Sequence, residues 1–254
     1  MLIRISRFLA RAGVASRRHV DDLVSQGRVT INGRRAVLGQ KVDPEKDTVC
    51  VDGQVMGTIP ELVYVMLDKP PGYLSSCSDP RSTRTVISLI RHVKARVFPV
   101  GRLDFDSDGL LLLTNDGDLT YLLTHPKHQV VKEYVVWVSG PKDRRKLHEM
   151  LSGILIDGRK AQVDYAEFVD DENYPGIDPG TGTTGIRIGV HEGRKHLVKR
   201  ICRAVGYSVL RLTRTKIGSL SLGRLPQGEW RYLSDCEVRS LYRDVRRSYC
   251  VARR

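Results

Sequence analysis

The stretch Gly101–Asp118, GRLDFDSDGLLLLTNDGD, sets five aspartates around a run of four leucines in a chain whose formal net charge is +13. The leucine run has the length of a strand, and both of its flanks read as turns. Ser107-Asp108-Gly109 is one turn, with Gly109 free to take a positive φ. Asn115 to Asp118 is the other, and Asp116 or Asp118 can cap a helix over the following LTYLLTH. Asp106 and Asp108 are expected to be exposed or bonded to backbone amides. Asp104 is different. It follows the short apolar strand VFPVGRL and lies two positions after Arg102, and a carboxylate at a strand mouth beside a guanidinium is held ionised and oriented. The D-x-D-x-D-G run from Asp104 also starts like a calcium loop, with Gly109 at its sixth position. Its twelfth position is Asn115, where a bidentate Glu is required, so neither a metal nor a cofactor is expected.

Outward from this stretch, strands are expected at VYVMLDK, RVFPVG, EYVVWVSG, GILIDGRKAQVDYAEFV, GIRIGVHEG and VLRLTRTKIGSLSL. The Pro-Pro-Gly corner after the first of these cannot continue a ladder. Helices are expected at TVISLIRHV, GDLTYLLTH, DRRKLHEMLSG and KHLVKRICRAVG. Many strands with few helices argue for an α+β domain around a mostly antiparallel mixed sheet, over residues 62–254. The Gly/Pro/Thr-rich segment 175–185 reads as a loop.

Ahead of it, residues 1–57 read as a small α/β module. Ile5, Phe8, Leu9 and Ala12 recur at helical spacing up to Gly13, and Ser16 is a good N-cap for a second helix carrying Val20, Leu23 and Val24. Asn32-Gly33 then marks a hairpin turn. Residues 58–61 read as a linker. Five scattered cysteines form no CxxC pair, and no Cys/His cluster has zinc-site spacing. Arginines interrupt the apolar pattern of the N-terminus, which makes a poor signal-peptide core, and no segment approaches the ~20 apolar residues of a membrane helix. A cytoplasmic location is therefore expected, and a monomer, since no apolar stripe is left over for a partner.

Charge is distributed unevenly. Residues 1–57 carry 10 Lys and Arg against 6 Asp and Glu, residues 58–186 carry 15 against 18, and residues 187–254 carry 17 against 5. Basic ends around an acidic middle point to a polyphosphate partner such as RNA. In the middle, Lys132 and Tyr134 lie two apart on one face of a strand, where a phenol can stack on a base or handle a proton. In KHLVKRICRAVG, Lys195, Lys199 and Arg203 share a stripe with Arg194 and Arg200 nearby, and few acids are interleaved.

GRLDFDSDGLLLLTNDGDL, together with DKPPGYLSS, KEYVV and EGRKHLVKRICRAVG in order, resembles the RsuA-like family of ribosomal-RNA pseudouridine synthases. FLARAGVASRRHVDDLVSQGRVTINGR resembles the S-four-type RNA-binding domain. The resemblance implies isomerisation of uridine to pseudouridine in ribosomal RNA of either subunit, or of an assembly intermediate, on a flipped-out nucleotide. It implies Asp104 as the catalytic carboxylate, Tyr134 against the target base, and Lys199 or its neighbour Arg200 as the partner of Asp104. Arg102, Lys132, Arg194 and Arg200 are then expected at the substrate, and Arg17, Arg18 and Arg28 on the RNA backbone. Leu197 stands where family members often have Gln. Attack at C1′ and removal of the C2′ proton would both use Asp104. A binder of RNA without catalysis, or a metal-dependent nuclease, are the alternatives.

Overall fold

In the computed structural model, residues 2–56, 60–81, 83–169 and 182–251 are described, the last six by backbone alone. Positions 58 and 59 of the expected linker and 175–181 of the expected loop lie outside the described residues. The chain forms two compact units, Met1–Val63 with Asn115–Gly117, and Tyr64–Thr114 with Asp118–Arg254.

The first unit opens with β1 (Ile3–Arg4), α1 (Ile5–Arg11) and α2 (Arg17–Ser25). Ser16 caps α2, its side chain accepting from the His19 amide, and Gly13 and Gly27 follow the two helices with positive φ. β2 (Val29–Ile31), β3 (Arg34–Arg35), β4 (Lys41–Val42), β5 (Val49–Val51) and β6 (Gln54–Val55) complete it. Four of them pair in the order β3-β2-β5-β6, and β1 pairs with β4. Both hairpin turns, Asn32-Gly33 and Asp52-Gly53, have positive φ at both residues, which matches the twist of two-residue hairpins. Ile5, Phe8, Leu9, Val20, Leu23 and Val24 from the helices pack on Val29, Ile31, Val49 and Val51.

The second unit contains β7 (Tyr64–Lys69), β8 (Phe98–Pro99), β9 (Asp108–Thr114), α3 (Gly117–Thr124), β10 (Lys132–Ser139), α4 (Arg144–Ser152), β11 (Ile154–Ile156), β12 (Arg159–Ala161), β13 (Tyr165–Val169), β14 (Thr183–Val190), α5 (Leu197–Ala204), β15 (Ser208–Ile217), β16 (Leu220–Ser221), β17 (Trp230–Tyr232) and α6 (Asp235–Val251). The main sheet runs β13-β14-β10-β15-β9-β7-β17. Its pairings are antiparallel except β15 with β9, which meet in parallel through Thr213–Asp108 and Arg214–Gly109. The fold is thus α+β on a mixed, mostly antiparallel sheet.

Every residue of β9, a strand inside the main sheet, is buried. Leu110 and Leu112 pack with Leu119 and Leu123 of α3 and Leu241 and Val245 of α6. β10 alternates: Tyr134, Val136 and Val138 face a cluster with α4 and α5, whereas Val135 and Trp137 pack with Val169. Among the described residues no helix is long and apolar enough to cross a membrane.

Two expectations are corrected. The helix over Thr85–Val93 is only a 3-10 turn, Val86–Leu89. Thr85 is tied in a bridge to Leu74, and the β-branched Val86, Ile87 and Ile90 do not extend the turn. RVFPVG contributes only the two-residue β8 to the ladder, its second residue being a proline that lacks a donor. The sequence reading also missed α6. Its start is a capping box: the Ser234 amide donates to Glu237 Oε2 at 2.8 Å and the Glu237 amide to Ser234 Oγ at 3.3 Å.

Candidate active site

A cavity of about 760 Å³ in the second unit is lined by Arg102, Asp104, Phe105, Lys132, Tyr134, Arg194, Lys195 and His196 among others. Its apolar wall includes Leu103, Val190, Leu197, Val198, Leu212 and Ile217. Three segments build it. The loop between β8 and β9 carries Asp104. The start of β10 carries Lys132 and Tyr134 on one face, as their spacing of two requires. The segment between β14 and α5 carries Arg194, Lys195 and His196.

The three aspartates ahead of and at the start of β9 meet different partners. Asp104, 27% exposed at its side chain, bonds through Oδ2 to His196 Nδ1 at 2.9 Å, and Lys199 Nζ lies 3.7 Å from the same oxygen. Asp106 is exposed and takes the closer contact with Lys199, at 2.5 Å, and this hydrogen bond holds its pKa below the usual carboxylate range. Asp108 is buried. It accepts from Arg211 Nε at 2.7 Å, from Thr213 Oγ1 and from Gln227 Nε2 at 3.2 Å. The expectation of an exposed or amide-bonded Asp108 is therefore wrong: its partners are side chains from β15 and beyond, contacts of high sequence separation that local turn chemistry does not reveal.

The loop is pinned from beneath by Lys69, which has no exposed surface. Its ammonium donates to the carbonyl oxygens of Ser107 at 2.7 Å and Pro70 at 3.0 Å. Burial lowers its pKa to about 8 against the opposing pull of Asp108, Asp106 and Asp104. Ser75 fixes the other side, its hydroxyl bonding both the carbonyl and the amide of Leu103. The residue before Asp104 is thus clamped, and this presents the carboxylate in one orientation.

The sequence-predicted residues separate into groups. Asp104, Tyr134, Arg102, Lys132 and Arg194 line one cavity. Arg102 is exposed, and the groups beside Asp104 are the His196 ring and the Lys199 ammonium instead. Arg194 is committed to Glu192 Oε2 at 2.6 Å and to the Ile156 carbonyl at 2.9 Å. Arg200 makes a two-pronged bond to Asp157, at 2.5 and 2.6 Å, which leaves Lys199 as the nearer of the two candidates to Asp104. His196 was missed. It holds a left-handed backbone conformation, φ 53°, at the N-cap of α5, a conformation invisible to periodicity, and its ring meets the loop at Asp104.

In the first unit, Arg17 and Arg18 are exposed, and Arg17 lines a groove with Arg4, Arg7 and Lys41. Arg28 is occupied by Asp52, through two bonds of 2.8 and 2.6 Å.

Comparison with known proteins places this geometry. A family model described as RNA pseudouridylate synthase matches residues 63–204, and one described as S4 domain matches residues 3–49. An uncharacterized RNA pseudouridine synthase of Aquifex aeolicus is 41% identical over 100% of this chain and 99% of its own. Ribosomal large subunit pseudouridine synthase B of Bacillus subtilis is 35% identical, over 94% of this chain and 95% of its own. The dual-specificity RNA pseudouridine synthase RluF of Escherichia coli K12 is 35% identical over 97% and 80%. A crystal structure of a pseudouridylate synthase superposes with a TM-score of 0.64 at 30% identity, covering 94% of this chain and 99% of that one.

Proposed function

Since the chain belongs to the RNA pseudouridine synthases and carries an N-terminal S4 domain, we propose that it converts specific uridines of ribosomal RNA to pseudouridine, with Asp104 as the reacting carboxylate. The observation that carries this reading is the anchoring of Asp104. His196 Nδ1 bonds to Oδ2 and Lys199 Nζ lies 3.7 Å from the same oxygen, so the carboxylate is held from one side in a cavity with an apolar wall. A carboxylate so held is preorganised to attack C1′ or to take the C2′ proton.

Reaching that cavity requires the uridine to leave its stack, at a cost of a few kcal/mol. Tyr134 and the apolar wall offer the base a new contact, and the basic first unit offers phosphate contacts that offset the cost. The proposed division of labour is a docking domain over residues 1–57 and a catalytic domain over 62–254. The ribosomal substrate is the reading supported by a relative whose name specifies the large ribosomal subunit.

The test is tritium release from ribosomal RNA labelled at C5 of uridine, followed by mapping of pseudouridine in ribosomal RNA from cells with and without the protein. Release from C5 and a pseudouridine missing only in the deletion are expected. Cut RNA, or intact uridine everywhere, would refute the assignment.

The docking proposal carries its own prediction. Arg17→Glu should weaken RNA binding and lower the slope of log affinity against log salt by about 1. Arg28→Glu should change the slope less, because Arg28 is already neutralised by Asp52. Equal slopes for both variants and the unmodified protein, in filter binding across a salt series, would remove the groove from the docking surface.

A further inference from the structure

Lys132 and Arg214 form a second charged feature of the cavity wall, distinct from the cluster at Asp104. Both line the cavity. Lys132 stands at the start of β10, and its ammonium donates only to the backbone carbonyls of Val130 at 3.1 Å and His191 at 3.3 Å. Arg214, on the neighbouring β15, is 2% exposed. Its Nε donates to the Leu110 carbonyl at 2.8 Å, and its Nη2 is buried with no partner. Among the described residues neither makes an ion pair with a carboxylate, in a protein where Lys199, Arg200, Arg211 and Arg231 all do. Burial brings the pKa of Lys132 down to about 8; Arg214 lowers it as well, and Asp164 opposes. Two cations that make no ion pair among the described residues, in an apolar-walled cavity, are costly, and such a cost is sustained where an anion arrives.

The proposed isomerisation generates one. Cleavage of the N1–C1′ bond leaves its electron pair on N1, so uracil departs as an anion with charge spread onto O2 and O4. C1′ becomes electron-poor and is met by the Asp104 carboxylate. On the alternative route Asp104 first takes the C2′ proton, and uracil still leaves as the anion. The base then turns and C5 bonds to C1′ as the Asp104 oxygen leaves it (or, on the alternative route, as Asp104 returns its proton to C2′); the C5 proton is released and N1 takes a proton from water, so nothing is consumed. The site needs negative charge facing the sugar and positive charge facing the detached base.

We propose that Lys132 is a catalytic residue that stabilises the detached uracil anion through its remaining N–H, with the buried Arg214 adding its field as a positioning residue. The inference rests on the isomerase reading above. Val190, Leu212 and Ile217 line the same cavity, and an apolar lining of this kind strengthens charge interactions once a base fills it. The anion is thereby retained while it rotates rather than lost to solvent.

The experiment compares single-turnover cleavage of the N1–C1′ bond in RNA transcripts carrying uridine or 5-fluorouridine, whose fluorine makes the base a better leaving group. Lys132→Met should slow uridine cleavage by about 100-fold, with RNA affinity within about threefold of the unmodified protein. On 5-fluorouridine its defect should shrink to about tenfold or less, since a more stable anion needs less help. Lys132→Arg, which keeps the charge, should lose less than the methionine variant on uridine, and it carries the test should Lys132→Met not fold. An equal loss on both substrates, for Lys132→Met or for a folded Lys132→Arg, or an unchanged rate, would overturn the proposal. Failure of the unmodified protein to isomerise uridine would instead overturn the reading beneath it.

Discussion

Asp104→Asn loses uridine isomerisation by about 10⁴-fold or more while the protein stays folded and binds RNA within a few-fold of its original affinity. The substitution keeps the side-chain volume and removes the nucleophilic charge. Beyond the contact with His196, little else depends on it: Lys199 retains its closer partner Asp106, and the loop remains clamped by Lys69 and Ser75. The effect therefore falls on turnover and not on stability. Asp106→Asn is the informative comparison, since it alters the same loop by the same atom but touches only the exposed partner of Lys199, and its loss should be about tenfold at most. Tritium release from C5-labelled RNA measures both. Substantial turnover by Asp104→Asn, or a larger defect at Asp106, would move the chemistry to another carboxylate and dismantle the site as drawn.

Where the sequence was legible, the information was local. Ser16, Asn32-Gly33 and the spacing of Ile5, Phe8 and Leu9 each define a cap, a turn or a helical face within a few residues, and these elements form where expected. The same holds for Tyr134 and Lys132, because the period of a strand puts them on one face. The environment of Asp108 was not legible, because Arg211, Thr213 and Gln227 lie more than a hundred residues away, the first two brought to it by the parallel pairing of β9 and β15 and the third by the segment ahead of β17. His196 shows a second kind of failure. Its helix reads correctly from periodicity, but its role depends on one left-handed residue ahead of that helix, and no spacing rule signals a non-glycine φ of 53°. The missed α6 is a third kind: the Ser234–Glu237 capping box was present in the sequence, ahead of a helix dense in arginine. Composition thus located the partner class, and pairing across the sheet was needed to orient the reacting groups.

That dependence on the β9–β15 junction gives the largest expected effect on stability, at Gly109. The residue pairs with Lys69 of β7 on one side and with Arg214 of β15 on the other, so its backbone cannot retreat in either direction. Its φ of +101° is open only to glycine at low cost. A Cβ placed there would lie 2.7 Å from the Arg214 amide nitrogen and closer still to its carbonyl oxygen, both backbone atoms within a sheet. Gly109→Ala therefore adds a steric conflict to the φ penalty and should cost more than about 3 kcal/mol, a fall of about 10 °C in the melting temperature for a unit of this size. Gly72→Ala separates the two contributions: its φ is +83° but nothing lies within 4 Å of the new Cβ, so strain alone, about 1 kcal/mol, is expected. The consequence extends to catalysis. Moving Gly109 shifts Asp108 and Ser107, and with Ser107 the carbonyl through which Lys69 pins the loop. Folded Gly109→Ala protein at low temperature should accordingly bind RNA yet turn over poorly, with Asp104 no longer held to one orientation. Equal melting temperatures for Gly109→Ala and Gly72→Ala would mean that β9 and β15 yield at their contact, and the parallel junction would then not be what fixes the aspartate loop.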